Sequence, residues 1–200
     1  DLYYQNSNVI SRDFFVGNDA QGNPVFETGK RSIYSLVEDV NKDKTINVVS
    51  HFDTKLQDNW KLNVNLNYQN VKSDVFRRVK DLLGGDFAFN RNAFDSDALY
   101  DVDNPNYIAR VGDRTKFSYD LLRSAYGLNV SSEIDFSKWN VVASVFSSYS
   151  ESQRDGHYRS GRYLNNSKGK SEIFDAFDAG IKAKITYKIN GKNFLVYNGG

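Results

Sequence analysis

Cysteine and methionine are missing from the 200 residues, and histidine and proline occur only twice each. Without cysteine there is no disulfide frame, no thiolate metal site and no Cys nucleophile. His51 and His157 lie far apart in sequence, which leaves little for a zinc centre or His-based catalysis. No stretch approaches the ~18 consecutive apolar residues of a membrane helix, and mean hydropathy is −0.60. A helical membrane protein is therefore excluded, but a membrane barrel is not, because its strands are only half apolar. An excess of one charge is lacking too. Lys+Arg number 26 against 25 Asp+Glu, and a net charge of +1 argues against a nucleic-acid partner. The chain opens at Asp1 in polar sequence, with no start methionine or signal peptide, and Phe194 onward reads as a strand just begun. We expect it to be a piece of a longer protein.

What is present is aromatic and alternating. There are 13 Tyr, 14 Phe and 2 Trp, and the charged share is 26%, a composition that favours strands over disorder. In Lys61 to Tyr68, Leu62, Val64, Leu66 and Tyr68 alternate with Lys61, Asn63, Asn65 and Asn67. Side chains switch faces at every strand residue, so this is one dry face and one wet face. The same period recurs around Ile46, Val48, Phe52 and Leu56, where Val49 breaks it. It recurs at Tyr126, Leu128, Val130, Ile134 and Phe136, and at Trp139, Val141, Ala143, Val145 and Tyr149, the latter blurred by Val142 and Phe146. Phe177, Ala179, Ile181, Ala183, Ile185, Tyr187 and Ile189 complete the set, opposed by Lys182, Lys184 and Lys188. With Phe194 onward, this predicts about six antiparallel strands.

Connections alternate between short and long. Tight turns are expected at about 57–60, 136–139 and 189–193, the last around the Asn190-Gly191 pair. Long polar stretches are expected at about 74–119 and 152–171. Loops of that length are uncommon in compact soluble domains and ordinary in outer-membrane barrels. The alternating runs extend ~11–13 residues, close to the ~9–11 of a tilted membrane strand. Trp60, Phe136, Trp139, Tyr187 and Phe194 sit beside the tight turns, where an interfacial aromatic girdle belongs. The pattern fits an all-β fold, a segment of an antiparallel transmembrane β-barrel, with Leu62, Val64, Leu66, Tyr68, Ile181 and Ile185 facing lipid. A β-sandwich with long hairpins also fits. Six strands are fewer than the 8 of the smallest bacterial barrels, so they would form part of a larger wall.

Three series carry a family likeness: Thr45–Val75; the loop start Asp81-Leu82-Leu83-Gly84-Gly85 with Asn104-Pro105-Asn106 and Val111-Gly112-Asp113-Arg114; and Arg154–Tyr163, Asn166–Ser171 and Gly180–Lys192. Together they resemble the barrel region of TonB-dependent outer-membrane receptors of the Bacteroidetes type, those with a carboxypeptidase-regulatory-like N-terminal domain. The resemblance covers most of residues 31–198 and implies a barrel of about 22 strands in the bacterial outer membrane. It implies energy-coupled uptake of an unidentified ligand. Partners would be lipid, the inner-membrane TonB complex and a surface lipoprotein. The family's plug and TonB box are not seen in these 200 residues. A scaffold or gate in a larger envelope complex, or a carbohydrate-binding sandwich, are the other functions considered.

Candidate sites lie in the long stretches. Asp95, Asp97, Asp101 and Asp103 offer the hard oxygen ligands of calcium, but their spacing lacks the Gly and terminal Glu of a calcium loop. A solvated acidic loop is preferred, and no cofactor is expected. Arg154, His157, Tyr158, Arg159, Arg162 and Tyr163 could grip a carboxylate, phosphate or sugar; otherwise they form a charged surface loop or pack on the acidic one. Phe87, Phe89, Phe94 and Tyr107 could stack on sugars. No serine has a His–Asp partner suggested by spacing, so an enzyme is not expected.

Overall fold

The computed structural model describes Asn6, residues 12–91 and residues 99–200. Its elements are strands: β1 (Arg12–Asn18), β2 (Pro24–Gly29), β3 (Leu36–Gln57), β4 (Trp60–Asp81), β5 (Ala88–Phe89), β6 (Ile108–Ala109), β7 (Arg114–Asp135), β8 (Trp139–Gly156), β9 (Gly169–Lys170), β10 (Phe174–Lys188) and β11 (Phe194–Gly199). The main sheet is antiparallel in the order β11-β10-β8-β7-β4-β3, with β9 added to β8. β3 and β11 are its edges, and the six strands do not close on themselves. β1-β2 and β5-β6 form two separate two-stranded sheets.

The strands run longer than the apolar alternation. β3, β4 and β7 each have 22 residues and β8 has 18, so irregular chain begins at residue 82 rather than near 74. Charge takes over where the dry stripe stops. Arg77 grips Asp39 with two hydrogen bonds of 2.5 and 2.8 Å, Glu38 bonds Arg78 and Lys80, and Arg114 holds Asp74 at 2.8 Å. Opposite charges facing across strands hold a ladder much as an apolar pair does.

The chain divides into two compact units. The first comprises Asp1–Asp43, Lys72–Leu121 and Arg154–Glu172. It holds every buried side chain among the described residues, with a small core of Val79, Leu82 and Ala109 closed by Ala88 and Tyr107. At the turn after β4, Gly84 adopts φ +88 and Gly85 lies so close to Ser32 that a Cβ there would meet its Oγ at 2.0 Å. The second unit comprises Lys44–Val71, Leu122–Gln153 and Ile173–Gly200. Not one of its residues is buried. It is a single layer of sheet with both faces open.

Candidate functional site

The register of the second unit sorts its residues onto two faces. Across β8 and β10 the pairs Trp139–Tyr187, Val141–Ile185, Ala143–Ala183, Val145–Ile181 and Tyr149–Phe177 are direct partners, so they share one face. Between them fall Asn140–Thr186, Ser144–Lys182 and Ser148–Asp178 on the other. Val142 and Phe146, which blur the sequence pattern, stand on the polar face. Phe146 lies over Gly180, where a Cβ would meet its ring at 2.5 Å, and Lys182 Nζ sits 5.6 Å from the same ring. A glycine opposite an aromatic is a packing device within the sheet, not an error in alternation.

On the apolar face two aromatic rows cross the strands. Tyr68 of β4 meets Tyr126 of β7 at 5.1 Å between ring centroids, and Tyr126 meets Tyr149 of β8 at 6.3 Å. Phe177 of β10, register partner of Tyr149, completes that row. The other row holds Trp139 and Tyr187, 4.5 Å apart, and Trp60, whose indole N–H donates to Ser132 Oγ at 2.8 Å. Trp60 and Tyr68 are eight positions apart, and Trp139 and Tyr149 ten. At ~3.3 Å per residue the rows are about 26–33 Å apart along the strands. If the strands were tilted by ~40°, as they are in outer-membrane barrels, that would become about 20–25 Å, against the ~25 Å apolar band of such barrels. The sequence marked only the row beside the tight turns; the second was hidden because its rings come from four separate strands.

Within this band, Leu66 is 50% exposed and Ile181 70%, and no described residue covers them. Leu62, Val64, Tyr68 and Ile185 lie on the same face, half-buried. The opposite face is a polar network. Asn65 donates to Asn63 at 2.6 Å and Asn63 to Asp53 at 2.5 Å, with His51 bonded to Asn65 and Asp53. Asn140 donates to Glu133 and Asp135, while Lys61 and Lys188 approach Glu133 and Asp135 at 3.5 and 3.8 Å.

In the first unit the two groups expected to bind ligands are joined through Arg159, which meets both Asp101 and Asp103. Asp95 and Asp97 lie outside the described residues, as does Phe94. Asp103 pairs with Arg159 and, at 2.6 Å, with Lys168; these cations hold its carboxyl below the usual carboxylate range, the Lys168 hydrogen bond first. Asp101 Oδ1 accepts from the Asp103 and Arg159 amides at 3.2 Å. Arg154 spends its guanidinium on the carbonyls of Asn166 and Ser167, at 2.8 and 2.9 Å. Tyr158 is half-buried, and burial pushes its hydroxyl pKa up. Arg162 is exposed and lies near enough to Tyr100 to act on its hydroxyl; Tyr163 is 64% exposed. Thus Arg159 and Lys168 tie the basic stretch to the described end of the acidic loop. Phe87 is buried and Phe89 half-buried. Tyr107, packed on the small core, is pushed up to about 12, by burial first and the nearby Asp113 carboxylate second.

One constellation was missed. Ser118 Oγ lies 2.8 Å from His157 Nδ1, and His157 Nε2 lies 3.5 Å from Asp120, which also holds Lys72 at 2.7 Å. Arg114 donates to the same Ser118 oxygen at 2.8 Å. Burial works to raise the Asp120 pKa, but Lys72 and His157 prevail and hold it low. Ser118 and Asp120 are two apart on β7, so they share a strand face, the one signal the sequence offered. The ring is engaged the opposite way round from a hydrolase triad, with serine on Nδ1, and Ser118 is only 4% exposed. This is a clasp between β7 and the residue that follows β8, with Ser118 and Asp120 buried and His157 exposed. Among the described residues no group of three or more His, Asp or Glu is placed to hold a metal.

Comparison with protein families, with characterised proteins and with solved structures gives no match for this chain.

Proposed function

We propose that this chain is part of the wall of a bacterial outer-membrane β-barrel of the TonB-dependent receptor kind, working in uptake and not in catalysis. One observation carries the reading. A single-layer sheet leaves one apolar face uncovered by described residues between two aromatic rows about 26–33 Å apart along the strands, a span that a barrel-like tilt of ~40° would bring to about 20–25 Å. In water such a face needs a second layer of protein; in a bilayer, hydrocarbon takes that place. The polar face, rich in Asn, Ser and Lys, would then line a lumen or touch a plug. The open edges β3 and β11 would be paired by further strands, since lipid tolerates no unpaired backbone. Energy coupling, the TonB complex and a lipoprotein partner rest on the family resemblance alone.

The test is made on the full-length protein in its own cell envelope. A barrel stays with the outer-membrane fraction, needs detergent for release and migrates faster before boiling than after. Recovery in the aqueous fraction overturns the reading in favour of a sandwich. If the barrel is confirmed, loss of ligand uptake on deleting the TonB partner supports transport, and unchanged uptake favours a scaffold or gate.

A further inference from the structure

On the apolar face of the second unit an open groove of about 470 Å³ runs across the sheet, from Val48 on β3 to Phe177 on β10. Its volume is within the range of small-molecule sites. No Asp, Glu, Lys or Arg lines it. The row of Tyr68, Tyr126 and Tyr149 walls the groove on the side away from the tight turns, and Leu66 and Leu128 lie within it. In outer-membrane barrels the short turns are periplasmic, so this row marks the outer leaflet.

Two serines interrupt the apolar surface of the groove. Ser147 is the register partner of Ala179 and falls between the Val145–Ile181 and Tyr149–Phe177 pairs, so it stands on the apolar face. Two positions, about 7 Å along the strand, separate it from the tyrosine row. Ser50 precedes His51, which bonds Asn65 on the polar face, so alternation places Ser50 on the apolar one. Neither hydroxyl has a partner among the described residues. In water, solvent would serve both. Under hydrocarbon an unserved hydroxyl is costly, and the polar atoms on offer there are a lipid's own acyl linkages, just inside the interface that aromatic rings mark.

Spacing narrows the occupant. From Ser50 on β3 through β4 and β7 to Ser147 on β8 are three strand spacings, about 14 Å. A glycerophospholipid carries its two linkages side by side on one glycerol and reaches one hydroxyl. A lipid whose chains branch from a longer backbone reaches both.

We infer that this groove is a fixed site for a multiply acylated lipid of the outer leaflet, of the lipopolysaccharide kind. Ser50 and Ser147 hold its acyl linkages, and Leu66, Leu128 and the tyrosine row hold its chains. This rests on the membrane reading and goes beyond it, from general contact with hydrocarbon to selection of one lipid.

For the test, full-length protein in mild detergent is stripped of lipid, checked for its heat-modifiable form, and titrated with rough lipopolysaccharide or with phosphatidylethanolamine. Native mass spectrometry counts the lipid bound. One lipopolysaccharide should bind per protein, at least tenfold tighter than phosphatidylethanolamine. Ser50→Ala and Ser147→Ala should each weaken it about fivefold, the worth of one hydrogen bond. Ser147→Phe, which fills the groove, should abolish binding, and Ala143→Phe, on the same face outside the groove, should leave it unchanged. If Ser147→Phe fails to fold, the two alanine variants decide. Equal affinity for the two lipids, a protein dimer formed in place of bound lipid, or unchanged binding in the folded serine variants overturns the inference. Absence of a heat-modifiable form in the unaltered protein overturns the membrane reading instead, and this site with it.

Discussion

Val145 of β8 and Ile181 of β10 are register partners on one sheet face, and 56% and 70% of their surfaces are open. Each is therefore packed sideways and covered by no described residue above. If hydrocarbon covers them, a charge at Val145 sits near the middle of the apolar band, where it costs roughly 2–4 kcal/mol. Val145→Arg should reduce the heat-modifiable folded species. Ser148→Arg, on the opposite face across from Asp178, should assemble normally. Equal behaviour of the two variants on the gel contradicts the assignment of faces.

Asp103 joins the two loop segments through Arg159 and Lys168. Asp103→Ala should free both, raising trypsin cleavage after Arg159 and Lys168 while the strands stay resistant. Asp101→Asn, which keeps an acceptor for the Asp103 and Arg159 amides, should change cleavage much less. Indistinguishable digestion patterns would mean the ties do not hold the loops.

The same carboxylate makes the link sensitive to acid. The Asp103 pKa is depressed in the folded loops, so their stabilisation is complete above the ordinary aspartate value of ~3.9 and is lost as pH falls below it through the folded value. Spin labels at Asn106 and Leu164 should give a narrow distance distribution at pH 6 and a broad one at pH 3. An equally narrow distribution at both would contradict the role given to this ion pair.

Gly85 is required by a close approach. An added Cβ would meet Ser32 Oγ at 2.0 Å and the Ser32 amide nitrogen at 3.0 Å, so Gly85→Ala should destabilise the turn after β4 by about 1–3 kcal/mol. The readout is earlier protease cleavage between residues 82 and 91. Ser32→Gly in the same chain should restore part of the loss, since it removes the nearer atom. No rescue would place the strain elsewhere.

Legibility followed the physics of each part. Leu62, Val64 and Leu66 announce a strand because period two leaves a mark in a single segment. The extension of β4 to Asp81 left no such mark: Arg77 and Arg78 acquire meaning only opposite Asp39 and Glu38, some 40 residues away. The clasp of Ser118, Asp120 and His157 and the groove of Ser50 and Ser147 are likewise made by cross-strand register and loop return, not by spacing along the chain. The basic stretch at Arg154–Tyr163 looked like a binding loop, yet much of its charge is used internally, because one sequence cannot say which of its own carboxylates an arginine will meet.

The most direct measurement places single spin labels at Leu66, Val145 and Ile181, and in turn at Ser144, Ser148 and Lys182, in the full-length protein reconstituted in bilayers. Labels of the first set should be relaxed strongly by dissolved oxygen and hardly at all by a water-soluble nickel chelate, and those of the second set should show the reverse. Nickel access at Leu66, Val145 and Ile181, or shielding of all three from both reagents, would contradict contact between this face and lipid.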